Sequence, residues 1–506
     1  MKNLTVTTAV IAGLLAMPIV STAQFRDKKA AEEAPKTEAD VLLEKAESAD
    51  SAICLTLEQA LQIALSENIA VKVADLEVKR SEYAKKGTYA ALFPQIDLTG
   101  AYQRTIKKQV MYMDFDMSSL MPSMPGAGAG SGEGAGEGAG AGAGAGESAS
   151  SGKSTSDGLE VGRLNTLNGG VTAAMPIVNA QLWKGIKISG LDVELAVEKS
   201  RASRLDMVTQ VKNAFFGVLF AKEALEVYKD VYNNAVDNYN ETKKKYDAQK
   251  VSEFELVRAK TTVANAVPNL YNAESSVVLA LWQLKAVMGV DLDMNFDVKG
   301  DLDDWSQQMF YDVHQHDTIN LDNNSVMKQL AIQTEQLAEN IKLQKYACIP
   351  SLAVAFNFSM NTMANDVKFS EFRWTPYSYV GLSLNIPIFA GGKRYQAIRQ
   401  AKNQYQQVQL QVSNTERQLK IAIRQSLNSM ETNMKSYYAA QDAVAAAQKA
   451  YNIAEAAYKV GRSTLIELND AQLALTQSQL AQSQAVYNFI MAKTQLEQTL
   501  GQDFVE

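Results

Sequence analysis

The sequence predicts a mixed α and β chain, mostly α, with an internal duplication, whose strands contribute to a β-barrel closed by more than one copy. Three observations predict it: two ordered copies of one pattern, strands of strict alternation, and two very long helical stretches free of Pro. "YDAQKVSEFELVRA" (246–259) lines up with "YKVGRSTLIELNDA" (458–471), Tyr246 falling on Tyr458 and Glu255 on Glu467, an offset of 212. Upstream, "GVTAAMPIV" (170–178) matches "GLSLNIPIF" (381–389), and "LFPQIDLTGAY" (92–102) matches "CIPSLAVAFNF" (348–358).

Residues 1–23 read as a signal peptide: Lys2, an apolar "LTVTTAVIAGLLAMPIV", then small residues at Ser21 and Ala23, with cleavage before Gln24. The chain is therefore expected to be exported. Residues 24–54 are polar and charged and read as a flexible lead-in. The first repeat, 55–300, opens with a helical stretch (57–91), followed by the strand "QIDLTGAY". Pro94 to Pro176 spans 82 positions where Pro350 to Pro387 spans 37, so the first copy carries an insertion. "GAGAGSGEGAGEGAGAGAGAG" sits inside it, at about 111–158; Gly/Ala/Ser composition cannot bury enough side chain to order itself, which predicts a mobile loop.

The strands alternate. Leu352, Val354, Phe356, Phe358 and Met360 are interleaved with Ala353, Ala355, Asn357 and Ser359, and Val380, Leu382, Leu384 and Ile386 with Gly381, Ser383 and Asn385. Large apolar on one side and small polar on the other suits lipid outside and water inside; a soluble, half-buried sheet is the alternative. No run of about 20 apolar residues follows the signal, so a membrane crossing has to be a closed barrel. Four strands are too few to close one, since about eight is the smallest number seen, so several chains have to share it.

Two long helices follow the strands, from Trp183 to Tyr246 and from Lys393 to Tyr458. Their ends carry steps of four and three: Tyr228, Tyr232, Ala235, Tyr239, Thr242, Tyr246, and Ala440, Val444, Ala447, Tyr451, Ala454, Tyr458. That is a coiled-coil seam. After the turns Ala248–Glu253 and Val460–Leu465, return helices run over Glu253–Met288 and Thr464–Leu500, with Pro268 expected to kink the first. Gly461 suits a tip turn and "QKVSE" has no glycine, so the two tips are expected to differ. Residues 301–320 read as a linker, 321–501 as the second repeat and 502–506 as a tail.

Composition excludes several functions. A net charge of -7 without a basic stripe excludes a nucleic-acid partner. Two Cys and two His leave no zinc cluster, and Cys54 and Cys348 lie at opposite ends of equivalent helical stretches, which predicts free thiols. No nucleophile–base pair or phosphate loop indicates an enzyme or a cofactor; Gly391–Gly392 is too short a pattern for a nucleotide loop. Met111, Met113, Met117, Met121 and Met124 are soft enough for Cu(I), but read better as an apolar loop at the barrel mouth. His314 and His316, a pair without a third ligand, read as linker.

Over residues 55–501 the chain resembles the TolC-like outer-membrane efflux family, the outer membrane factors. The resemblance rests on "LTLEQALQIALSENIAVKVADLEVKRSEYAKKGTYAALFPQIDLTGAY", the strand endings "MPIV" and "IPIFAGGKR", and the turn "YKVGRSTLIELNDAQ". It implies a homotrimer with four strands per chain in one outer-membrane barrel of a Gram-negative bacterium. The barrel continues into a long periplasmic α-helical coiled-coil tunnel. The function implied is a passive exit duct for small molecules or protein, in a tripartite efflux or type I secretion system. Its partners are a periplasmic adaptor protein, an inner-membrane pump reached directly or through the adaptor, and outer-membrane lipid. The alternative is a periplasmic coiled-coil tether or surface adhesion module without channel activity.

The resemblance also places sites. Glu467 and Asp470, three apart on one helix face, match the acidic constriction at the periplasmic gate, with Glu standing where the family has Asp. A ring of such acids would attract cations; the alternative is that acids simply favour a helix's first turn. Glu255 matches a link between helix pairs, with Tyr458 and Arg462 as its partners, Arg462 standing one position earlier than the family pattern. The tip turns, with Lys250, Val251, Gly461 and Ser463, are the expected adaptor contacts.

Overall fold

Thr56 starts the helical part of the chain by capping: its side chain accepts the Gln59 N–H while the Gln59 side chain accepts the Thr56 N–H. The computed structural model describes residues 53–111, 159–306, 309, 320–366 and 372–502. The signal peptide, nearly all of the lead-in, Met113–Met124 with the Gly/Ala run, the two His and the end of the tail lie outside the described residues.

In chain order the elements are β1 (Ile53–Leu55), α1 (Leu57–Glu67), α2 (Ile69–Ala90), β2 (Gln95–Arg104), β3 (Gln109–Met111), β4 (Leu159–Val161), β5 (Asn165–Val178), α3 (Ala180–Asp247) and α4 (Glu253–Met288). They continue with β6 (Phe296–Val298), α5 (Asp303–Ser306), α6 (Ser325–Tyr346), β7 (Ser351–Ala364), β8 (Thr375–Asn385), α7 (Lys393–Lys459) and α8 (Leu465–Leu500). The chain divides into two compact units. One holds residues 86–186 and 342–397; the other holds the remainder.

The first unit is a four-stranded antiparallel sheet of order β2-β5-β7-β8, beside the short hairpin β3–β4. Register sorts its faces. Ile96, Ala173, Phe356 and Val380 lie in one row across the strands, and Met175, Val354 and Leu382 in another. The opposite face carries Asp97, Thr172, Asn357 and Tyr379. The apolar face is uncovered: Leu98 is 83% exposed, Val380 72% and Leu382 71%. β2 and β8 each lack a partner on their outer edge among the described strands. Gly170 lets β5 approach β7, because a Cβ there would stand 2.7 Å from the Phe358 carbonyl oxygen.

The second unit is helical. α3 and α7, with 68 and 67 residues, each precede a 36-residue return helix. The main core gathers Phe216, Leu284, Met288, Met430, Phe489 and Leu496, and Phe216 meets Trp305 edge-on at 5.1 Å. Two stretches read as lead-in and linker contribute to it. Ile53–Leu55 pairs in parallel with Phe296–Val298 and buries Leu55, while Leu302 and Met309 of the 301–320 stretch are buried. Leu302 stands alone between Asp301 and Asp303, and the apolar runs around Leu55 (Ile53–Leu57) and Met309 (Met309–Tyr311) are too short to show a period. Cys54 and Cys348 are free thiols. α4 runs unbroken through Pro268, which leaves one carbonyl without its amide partner. Replacing Pro268 by Ala is expected to raise stability by about 1–3 kcal/mol, read as a higher midpoint in denaturant unfolding.

Candidate functional site

The far ends of the helix pairs are built by short-range hydrogen bonds. At the second tip Gly461 adopts φ 77, and its N–H and that of Arg462 donate to the Tyr458 and Ala457 carbonyls at 3.1 and 2.8 Å. At the first, Gln249 adopts φ 58, and its N–H and that of Lys250 donate to the Tyr246 and Lys245 carbonyls at 2.7 and 2.8 Å. The same turn is closed in both places. The expected difference between the tips is thus corrected for the backbone: Gln249 takes up the left-handed strain that Gly461 avoids.

The two tips differ instead in their caps. Thr464 accepts the Glu467 N–H at 3.3 Å, and the Glu467 carboxylate accepts the Thr464 N–H at 3.1 Å together with the Ser463 hydroxyl. These donors, Ser463 first and Thr464 second, hold the Glu467 carboxyl below the usual carboxylate range. Ser252 caps α4 by accepting the Glu255 N–H at 3.4 Å, and no reciprocal bond from the Glu255 carboxylate forms. Glu467 is therefore bound into its own helix start, whereas Asp470, one turn on, is exposed.

Tyr458 is the centre of the tip. It is buried in a small apolar cluster with Ala259, Tyr451, Leu465, Leu468 and Leu475. Thr242 donates its one hydroxyl proton to the Asn238 carbonyl at 2.7 Å, so the Tyr458 hydroxyl is the donor in the 2.5 Å contact with Thr242. Lys245 donates to the Tyr458 carbonyl at 2.6 Å and stands over its ring, 4.2 Å from the centroid. Burial, and then the negative charges of Glu255 and Glu241, push the phenol above its ordinary value. Burial likewise pushes Tyr451 up to about 12.

Within the chain, then, Tyr458 is held by Thr242 and Lys245 of α3, while Glu255 acts on it through charge and Arg462 is exposed. The seam contained Thr242, but nothing in the spacing marked Lys245. α8 is tied further by Asn469 to Thr262 at 3.3 Å and by Asn234 of α3 to Gln472 at 3.2 Å. Lys250 is exposed and Val251 and Ser463 half-exposed, with Gly461 at the turn itself. Among the described residues no group of three or more His, Cys, Asp or Glu could hold a metal ion. No helix there is long and apolar enough to cross a membrane.

Three outcomes are expected. Gln249→Gly relieves the left-handed backbone and stabilises the tip by about 1 kcal/mol, measured by denaturant unfolding. Tyr458→Phe removes the bond to Thr242 and costs about 0.5–1.5 kcal/mol by the same assay. Because the Glu467 carboxyl is depressed on folding, its contribution is complete above the usual carboxylate pKa and is lost as pH falls through the lowered value. The protection factor of the Thr464 amide against hydrogen exchange should fall accordingly below about pH 4.

Comparison with known proteins gives a consistent result. The profile of the family described as outer membrane efflux protein matches residues 140–290 and 319–502, more than half of the chain. The outer membrane protein TolC of Vibrio cholerae is 20% identical over 349 residues, 66% of this chain and 76% of its own length. The cobalt-zinc-cadmium resistance protein CzcC of Cupriavidus metallidurans is 24% identical over 210 residues, 41% of this chain and 47% of its own. The crystal structure of the CmeC outer membrane channel of Campylobacter jejuni superposes with a TM-score of 0.63 at 16% identity, covering 88% of this chain and 85% of that one.

Proposed function

This chain belongs to the outer membrane efflux protein family and to the outer membrane of a Gram-negative bacterium, and from that premise we propose that it is the exit duct of a tripartite efflux or type I secretion system. Three copies close one barrel from their four-stranded sheets, and their helical units form the periplasmic tunnel. The observation that carries this reading is the sheet: two edges without partners and one uncovered apolar face. In hydrocarbon an unpaired edge costs several kcal/mol for each unsatisfied group, so the sheet has to find β2 of another copy for its β8. An uncovered apolar row at Ile69, Val73, Leu76 and Tyr83 of α2, with heptad steps, favours the same association in the helical unit.

Small molecules or protein pass without chemistry by the duct. Its gate is the tip, where Glu467 and Asp470 of each copy surround the opening, and Glu255, Tyr458 and Arg462 link neighbouring pairs beside the Thr242–Tyr458–Lys245 contact. Lys250, Val251, Gly461 and Ser463 meet the periplasmic adaptor, and through it the inner-membrane pump that supplies the energy. Single-channel recording in a planar bilayer tests this beside a Glu467→Ala, Asp470→Ala double variant. Small cation-selective steps are expected, with selectivity lost in the variant. Steps unchanged by the substitutions would remove the acidic gate, and a trimer giving no channel would replace the duct by a coiled-coil tether.

A further inference from the structure

Each return helix ends on an asparagine. Asn68, between α1 and α2, accepts the Ala70 and Val71 N–H groups on Oδ1 at 2.8 and 3.3 Å, capping α2. Its Nδ2 donates to the Val287 carbonyl, next to the last residue of α4, at 2.6 Å. Asn324 repeats the arrangement. Its Oδ1 accepts the Met327 N–H at 2.9 Å, and its Nδ2 donates to the Thr499 carbonyl, next to the last residue of α8, at 2.6 Å. A single side chain thereby satisfies an orphan amide at one helix start and an orphan carbonyl at another helix end.

The backbone closes on each contact. Gly289 and Gly501, at φ 80 and 67, end α4 and α8. A Cβ on Gly289 would stand 2.8 Å from the Glu67 carbonyl oxygen and 3.0 Å from the Asn68 Cα. One on Gly501 would strike the Asn323 carbonyl and stand 3.0 Å from the Asn324 Cα. The joints lie beside Leu284, Met288, Leu496 and Leu500 of the main core, whereas the tips hold only the small cluster around Tyr458. One difference separates the joints. Arg201 of α3 donates to the Gly501 and Asn323 carbonyls at 2.9 and 3.1 Å and to the Ser325 hydroxyl at 3.1 Å, bracing the second. At an offset of 212 on α7 stands Ser413, which bonds back to Gln409 in its own helix.

We propose that Asn68 and Asn324 are the pivots of the gate: each pins the end of a return helix to the start of α2 or α6, so the tip opens by rotation about the joint and not by sliding. The proposal rests on the reading of the tips as the gate. From Glu255 to Val287 the lever is about 50 Å long, so a swing of about 10° carries the tip about 8 Å. A pin that blocks axial slip while allowing rotation converts a small turn at the core into a wide opening at the far end.

The test uses the full-length assembly and the variants Asn68→Ser and Asn324→Ser, whose hydroxyls keep the caps on α2 and α6 but lose the donor to the return helix. Distances between spin labels at Glu253→Cys or Leu473→Cys, in a background with Cys54 and Cys348 replaced by Ser, report the tips, and bilayer recording reports the opening. Asn68→Ser should broaden the Glu253→Cys distances, because the end of α4 then slips along its axis as well as turning, and should leave the ratio of open to closed channels unchanged, because a pivot bond kept in both states favours neither. Asn324→Ser should do less at Leu473→Cys, because Arg201 still holds the Gly501 carbonyl. Should Asn68→Ser fail to assemble, Asn68→Asp keeps the cap and faces the Val287 carbonyl with an acceptor, with the same broadening expected. A lower melting temperature with unchanged tip distances would reduce the asparagines to structural caps, and a raised open fraction would make the Asn68 bond a latch of the closed state; either result would overturn the proposal. Were the wild-type protein to give no channel, the duct reading would fall, and the tip distances alone would decide the pivots.

Discussion

Backbone hydrogen bonding in a solvent without water governs this chain. A β-sheet can enter hydrocarbon only if every N–H and C=O along its edges finds a partner, and four strands joined β2-β5-β7-β8 leave two edges open. Register completes the constraint. One-residue alternation puts Ile96, Phe356, Val380 and Leu382 on the same side, where water would penalise them and lipid would not. In the assembly proposed above, both debts are settled by the same event, the meeting of β8 with another copy's β2. α3 and α7 start inside the sheet unit, at Ala180 and Lys393, and belong to it as far as residues 186 and 397.

At the opposite ends of the helices the forces are smaller and more specific. A main core of large aliphatic and aromatic side chains fixes one part of the helical unit, and a small cluster around Tyr458 closes the tips. The tip cluster is held by a few polar contacts, among them Tyr458 to Thr242 and Lys245 to the Tyr458 carbonyl. Such a contact carries about 1 kcal/mol net, so a partner's binding energy is sufficient to exchange it for another. Rigidity at the core and few polar contacts at the tip are what the gate proposed above needs.

Much of this was legible in the residues. The alternation of β7 and β8 and the seam through Tyr451 and Tyr458 follow from side-chain period, and the long α3 and α7 from stretches free of Pro. Thr464 and Glu467 announced a helix start by their types and spacing. What escaped the sequence depends on distant partners or on isolated residues. Leu302 sits singly between Asp301 and Asp303, and the apolar runs at Leu55 and Met309 are too short to carry a period, so only the packed core reveals them. Gln249 carries no sign of its left-handed backbone, because side-chain type usually points to Gly or Asn there. Lys245 stands in "KKK" with nothing in its own sequence to mark it, and its carbonyl partner lies 213 positions away.

The uncovered sheet has a consequence for the life of the protein before it reaches its membrane. A newly exported copy carries, in water, an uncovered apolar face flanked by two strand edges that an extended segment can join, and that combination is an aggregation hazard. In the assembly proposed above, closure requires other copies, so its rate rises with their local concentration, while off-pathway pairing competes at every concentration. In that assembly folding is a collective act, and how long the face and edges stay open in water, more than the stability of a single chain, sets the yield of closed barrels.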